Sequence, residues 1–411
     1  MLEGLQKRES GRSGIYRDPD SDPRVLKEIA ERQLMAERLD RETSGSITDF
    51  TDALVTLVGE PGYEAAVEAR VAVMSQYFLA SDGDLWSTYE RPDHRKRLSD
   101  FVVKVEAAAA ARGYAIARRP VIGTLLTGNI NAEARPGPSG EGHLVVFDSG
   151  LFIFAASLTG IAVQAIDARF GEGHASLTFR SPEGIAEHVA RRPGILVQFA
   201  DLAFSHAVLG SCLFTDPIHL PPEYHELGQS LTDVVLTFAL AHEYGHVILG
   251  HTDLPRLRQT REKSHELELA ADRVGFELAS AAAGVGDWAW LGANLFLNGV
   301  DVLTRAASMF RTGHDEVTSS DTHPSPHDRA AHLAALAPGL VSATMAPHIE
   351  RMSAAIDVAL ARFWQFSRPS FEAGYAAGYP PAGYRPTSEY EKQAALHAFM
   401  AVRFQGSSAP P

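Results

Sequence analysis

The sequence predicts an α+β fold that is mainly helical, with one small sheet. Helical spacing of apolar residues or alanine-rich runs recurs from Asp22 to Phe366, whereas β-rich pieces are short and begin only after Tyr114. The composition, 45% hydrophobic and 21% charged over 411 residues, is that of a globular chain long enough to bury a sizeable core. With 51 acidic against 37 basic residues the formal net charge is −14, which repels phosphate backbones and anionic lipid and argues against a nucleic-acid partner. Cys212 is the only cysteine, so no intrachain disulfide and no thiolate cluster for a structural metal can form. That cysteine usage suits a reducing compartment, and the opening MLEGLQKRES has no apolar signal-peptide core, so a cytoplasmic location is expected.

In chain order, Asp22-Pro23 opens a charged helical pattern to about Thr43, and a second runs from Asp49 to Leu79 with a break at Gly59 to Gly62. A third helix is expected from Arg95 to Gly113, where an alanine run raises helix propensity and glycine can end it. Val121 to Thr127 and His143 to Phe147 read as strands, separated by a loop over Ala134 to Gly140. The apolar run Gly150 to Ile166 is shorter than the roughly 20 residues a bilayer requires and contains Ser157, Thr159, Gly160 and Gln164. It reads as buried core, and no integral membrane span is expected. Ala175 to Arg180 and Ile195 to Ala200 are strand-like. Beyond Pro221-Pro222, helices are expected over Leu231 to Gly250, Ser264 to Ala283, Trp288 to Phe310, Pro326 to Leu336 and Ala346 to Phe366, followed by a Gly/Tyr/Pro strap from Gly374 to Pro386. Three regions result: a helical region 1–113, a segment 114–340 containing the candidate chemistry with a long insertion at about 167–230, and a C-terminal helical region 341–411.

The chemistry concentrates in SLTDVVLTFALAHEYGHVILGH, residues 230–251. Ser230 and Asp233 resemble a capping box, and the run that follows is apolar nearly all round. His242 and His246, one turn apart, present two imidazoles at the separation one metal ion bridges. Glu243 is rotated by about 100° from His242, where its carboxylate can reach a metal-activated water without ligating. This HExxH pattern is expected by chance roughly 0.05 times in a chain of this length. Burying two histidines and a glutamate without partners would cost several kcal/mol. Downstream, SHELELAADRVGFELA puts Glu268 and Asp272 on one helix face, with small residues at Ala270 and Ala271 to let the two helices approach. Glu268 is the candidate third ligand, and Asp272 can accept the free N–H of a ligand histidine. Glu266 is about 200° from Glu268 around the helix, so only one of them can face the metal. Two imidazoles and a carboxylate match Zn²⁺, one per chain, better than Ca²⁺ or Mg²⁺. His251 falls five residues after His246, not six, so the metzincin third-histidine pattern fails.

HEYGHVILGH followed by ELAAD resembles the gluzincin metallopeptidases of the CaaX prenyl protease and HtpX type, with their HExxHxxxxH and later ExxxD. Asn131-Ala132 followed by HLVVFDSGL is similar to that family's Asn-Ala element and edge strand, and THPSPHDR to its His-Pro motif with a following arginine. The resemblance implies a zincin-like core with an HExxH active-site helix and a small sheet with an edge strand. It further implies that Asn131 to Ala134 lie beside a bound peptide, and that His323 and Arg329 help stabilise the transition state and organise the site. Ser325 can cap and Pro326 can take the first position of the helix after His323. The reading is a zinc-dependent endopeptidase in which Glu243 is general base, acting on a peptide or protein. Two alternatives are a regulatory protease of the ImmA/IrrE or phage-exclusion kind that cuts one cellular protein, and a non-catalytic zincin-derived interaction module; an intact Glu243 argues against the second.

Overall fold

Helix α1 (Pro92–Ala111) begins with proline near its first position, where a missing N–H costs nothing. Gly113, with φ of 75°, turns the chain back so that the Tyr114 N–H reaches the Ala109 carbonyl at 2.9 Å. The computed structural model describes residues 91–378 apart from 126, 138–141, 171–176, 219, 255–259, 284–285, 318, 321 and 341–345. The helices expected between Asp22 and Leu79, and the strap beyond 378, lie outside the described residues.

Strands β1 (Val121–Leu125), β2 (Ala132–Pro136) and β3 (His143–Asp148) form a sheet in the order β1-β3-β2, with β1 parallel and β2 antiparallel to β3. Two expectations are corrected here. Ala134 to Pro136 belong to a strand rather than to the loop, and HLVVFD is the central strand, with β1 and β2 at the edges. The burial pattern explains both: β3 is buried at every position, whereas AEARP is half-exposed and ends on a proline that an edge tolerates.

Helix α2 (Ser149–Ala165) is buried almost all round, as expected for a core helix, and no described helix is long and apolar enough to cross a membrane. A two-stranded ladder, β4 (Arg169–Phe170) with β5 (Leu177–Thr178), leads to α3 (Pro182–Ala190), capped by Ser181. Ile195 to Ala200, expected as a strand, is part of α4 (Pro193–Ala207). Its buried residues Ile195, Phe199, Leu202 and Ala203 follow helical spacing while Val197 is exposed, a pattern invisible within a six-residue apolar window.

Helix α5 (Pro222–Ile248) starts at the Pro221-Pro222 pair, so Ser230 and Asp233 are interior and the expected capping box does not form. Asp233 instead accepts from Arg97 of α1 at 2.8 Å. Then come α6 (Arg261–Ala283), α7 (Gly286–Thr312), α8 (Pro326–Leu340) and α9 (Ala346–Ala377); the last takes in Gly374 to Ala377, which were expected in the strap. A continuous apolar core runs from Leu98 and Phe101 of α1 to Phe363 and Phe371 of α9, with α5 packed against α2, α6 and α7.

The α5–α6 crossing is set by absent side chains. A Cβ at Gly245 would stand 2.9 Å from the Ala271 carbonyl oxygen, and one at Gly275 would stand 2.9 Å from both N and Cα of His242. Ala271 is therefore at the contact, as expected, opposite Gly245, while Gly275 of the same helix lies against the His242 backbone. Gly275→Ala gains about 1 kcal/mol of helix propensity but must push a backbone aside, a clash that costs about 1–3 kcal/mol. We expect a lowered Tm, because the displaced backbone is that of the buried core helix at His242; an unchanged Tm would show that the helices separate freely.

Candidate metal centre

The long buried α5 presents His242 and His246 to α6, and the close crossing brings Glu268 opposite them. The two Nε2 atoms are 3.2 Å apart. Glu268 Oε2 lies 3.5 Å from His242 Nε2, and Oε1 lies 3.4 Å from His246 Nε2. Donors around a tetrahedral Zn²⁺, with bonds of about 2.0–2.2 Å, are spaced by about 3.3–3.5 Å. Glu268 Oε2 is buried and has no hydrogen-bond partner among the described residues, an acceptor that only a cation or a donor can compensate. The donor set therefore fits a borderline-soft dication. Glu266 is exposed and bonded to Lys263 at 3.0 Å, away from the histidines.

The surrounding groups fix the lone pairs. Asp272, fully buried, lies 2.9 Å from His242 Nδ1, so that Nδ1–H can donate to it and Nε2 is the nitrogen that faces Glu268; the two carboxylates together raise the proton affinity of His242 against the effect of burial. Arg329 donates to both oxygens of Asp272, at 2.8 and 2.6 Å, bringing in α8 across 57 residues of chain. Burial would raise the Asp272 carboxyl, but Arg329 and His242 hold it well below the usual carboxylate range. Arg329 also reaches the candidate ligands directly, with Nη2 3.4 Å from His242 Nδ1 and Nη1 4.0 Å from Glu268 Oε2. On the other imidazole, His246 Nδ1 lies 3.0 Å from His251 Nδ1. His251 ends the HExxHxxxxH pattern read from the sequence, and the turn at Gly250, φ 69°, brings it back to His246.

Glu243 is buried beside His242, 4.0 Å from its Nε2, and accepts the backbone N–H of Ala134 on β2. Burial pushes its carboxyl up to about 7, with His242 pulling it back. His323 sits in the loop before α8, its side chain more than half exposed, with Nε2 3.5 Å from Glu268 Oε1 and Nδ1 2.8 Å from Thr322 Oγ1. As expected, α8 begins at Pro326 with Ser325 accepting the Asp328 N–H at 3.0 Å.

Asn131 and Ala132 line a cavity of about 350 Å³ together with His242, Glu243, Glu268 and His323, and its far wall is apolar, with Phe238, Phe296 and Val300. The segment carrying Asn131 is tied down by Asp148, which sequence reasoning missed. The Asp148 N–H donates to the Asn131 carbonyl at 3.0 Å, and its carboxylate accepts from the side chains of Thr127, Asn129 and Asn131. Burial still pushes that carboxyl up to about 6. The signal was present as an aspartate ending an otherwise apolar strand, HLVVFD.

Residues 223–343, under a third of the chain, match the model of the family described as Peptidase U49. No curated protein and no solved structure matches the chain. The matched segment spans His242, Glu243, His246, Glu268, Asp272, His323 and Arg329, and a match to a peptidase family supports a protease acting on protein or peptide.

Proposed function

We propose that this chain is a zinc-dependent endopeptidase with a zincin-like core, similar to the gluzincins, and that residues 114–340 form the domain that carries the activity. The observation that carries the reading is the spacing of 3.2, 3.4 and 3.5 Å among His242 Nε2, His246 Nε2 and the Glu268 carboxylate. His242, His246 and Glu268 would hold the ion. When bound, zinc supplies a Lewis acid that acidifies water and polarises a carbonyl.

The remaining work falls to the chain. Glu243 takes a proton from the attacking water and passes it to the leaving amine, a role that burial favours by raising its proton affinity. Asp272 holds the His242 tautomer, and Arg329 holds Asp272. A substrate lies extended along the outer side of β2, which no strand pairs among the described residues, and Asn131 and Ala132 fix its register. The apolar wall of Phe238, Phe296 and Val300 receives a neighbouring side chain. His323, on the solvent side, donates to the developing oxyanion.

Elemental analysis of protein purified without chelators is expected to give about one zinc per chain, with chelation stopping cleavage of a denatured protein substrate and Zn²⁺ restoring it. Absence of any transition metal would refute the proposal. His323→Ala is expected to lower turnover by about 10²–10³ with zinc content and Tm unchanged, because a donor to the oxyanion acts only in the transition state. Full activity in that variant would remove His323 from the mechanism.

A further inference from the structure

Beyond the left-handed Gly250, the chain forms a one-turn 3-10 helix, His251–Asp253, whose first residue returns to the metal centre. His251 Nδ1 lies 3.0 Å from His246 Nδ1, the ring nitrogen that does not face Glu268. The two ring centres are 5.1 Å apart with the planes crossing at 68°, so the facing nitrogens lie close to the line that joins the rings. An N–H on one ring therefore points at the lone pair of the other, the alignment a hydrogen bond requires, and not at its face. The turn is itself anchored. Thr252 is buried, its Oγ1 lies 3.0 Å from Nδ1 of His143 at the start of the central strand β3, and the turn packs against β2.

The chemistry of imidazole assigns the donor in this pair. A neutral ring carries one N–H, and the nitrogen that faces a cation is the one without it. On the reading of the site as a zinc centre, on which this inference rests, His246 presents Nε2 beside Glu268, so its proton sits on Nδ1 and His251 Nδ1 is the acceptor. His251 then keeps its own proton on Nε2. The two candidate ligand histidines are thus held by different chemistry. His242 donates to the carboxylate of Asp272, whereas His246 donates to a neutral ring, which orients it without placing another negative charge beside Glu243, Glu268 and Asp272.

We propose that His251 is a positioning residue of the metal centre: it accepts the His246 Nδ1–H, fixes the tautomer of that ring and holds Nε2 toward the ion, while the Thr252–His143 contact keeps His251 in place. Loss of a group that orients a ligand typically costs about 10–100-fold in metal affinity. His251→Phe keeps a flat ring of similar size but offers no acceptor and leaves no space for a water to replace it. Competition titration of the full chain with Zn²⁺ and a chelating dye should show affinity weakened by about 10–100-fold in this variant, with the Tm of the metal-free protein unchanged. His251→Asn, whose amide oxygen can stand where Nδ1 stands, should recover most of the affinity, a rescue that a merely structural role does not give. If His251→Phe does not fold, His251→Ala takes its place in the comparison with His251→Asn. Undiminished affinity in a folded His251→Phe, or an equal loss in His251→Asn, overturns the proposal. An unchanged chain that takes up no zinc refutes the zinc reading and this inference with it, whereas an unchanged chain that binds zinc no better than His251→Phe refutes this inference alone.

Discussion

Glu243→Gln is expected to lower peptide-bond cleavage by about 10³ or more while leaving zinc content and Tm close to those of the unchanged chain. The substitution keeps the shape of the side chain and its ability to accept the Ala134 N–H, but removes the proton acceptor. General-base catalysis is worth about 10²–10⁴ in rate, so nearly all the loss should appear in kcat. Burial of Glu243 makes the experiment clean for a second reason: the amide is neutral, so the variant removes a buried charge rather than adding one. Parallel measurement of turnover and zinc stoichiometry is the check. Near-normal cleavage would show that another group takes the proton.

Glu268→Ala is expected to weaken zinc binding by more than about 100-fold, beyond the 10–100-fold typical of losing a residue that only orients a ligand. Glu266→Ala should leave affinity unchanged, since its carboxylate is exposed and paired with Lys263. A competition titration with a chelating dye ranks the two variants. Tm of the metal-free proteins separates ligation from folding: against the effect of burial, His242 and Arg329 hold the Glu268 carboxyl below the usual carboxylate range, so Glu268→Ala should lower the metal-free Tm as well, and the loss of zinc affinity is read beyond that change. Equal zinc affinity in both variants would take Glu268 out of the ligand set.

What could be read from sequence divides along the range of the interaction that decides it. His242 and His246, or Glu268 and Asp272, are related by one helical turn, so their common faces follow from local geometry once each segment is helical. The buried character of α2 followed from its apolar run, and the start of α8 from Ser325 and Pro326. Local rules failed where a short window admits two conformations. Ile195 to Ala200 reads equally as a strand or as part of a helix, and only its burial against α7 and α9 separates the two. Ser230 and Asp233 carry the residue types of a cap, yet the Pro221-Pro222 pair starts the helix two turns earlier.

By itself, then, the sequence determined a mainly helical chain, the two helical faces bearing His242, Glu243, His246, Glu268 and Asp272, and residue types that could hold a metal ion. Tertiary structure alone decided that these faces meet. Their approach depends on Gly245 and Gly275, which leave room for Ala271 and for the backbone of His242. It also decided that Arg329 closes on Asp272 from 57 residues away, that Asp148 ties down Asn131, and that β3 is central in the sheet. Each of these is a contact between elements distant in sequence, set by which surfaces pack closest, and side-chain periodicity carries information about a segment's own faces but none about the partner each face will find.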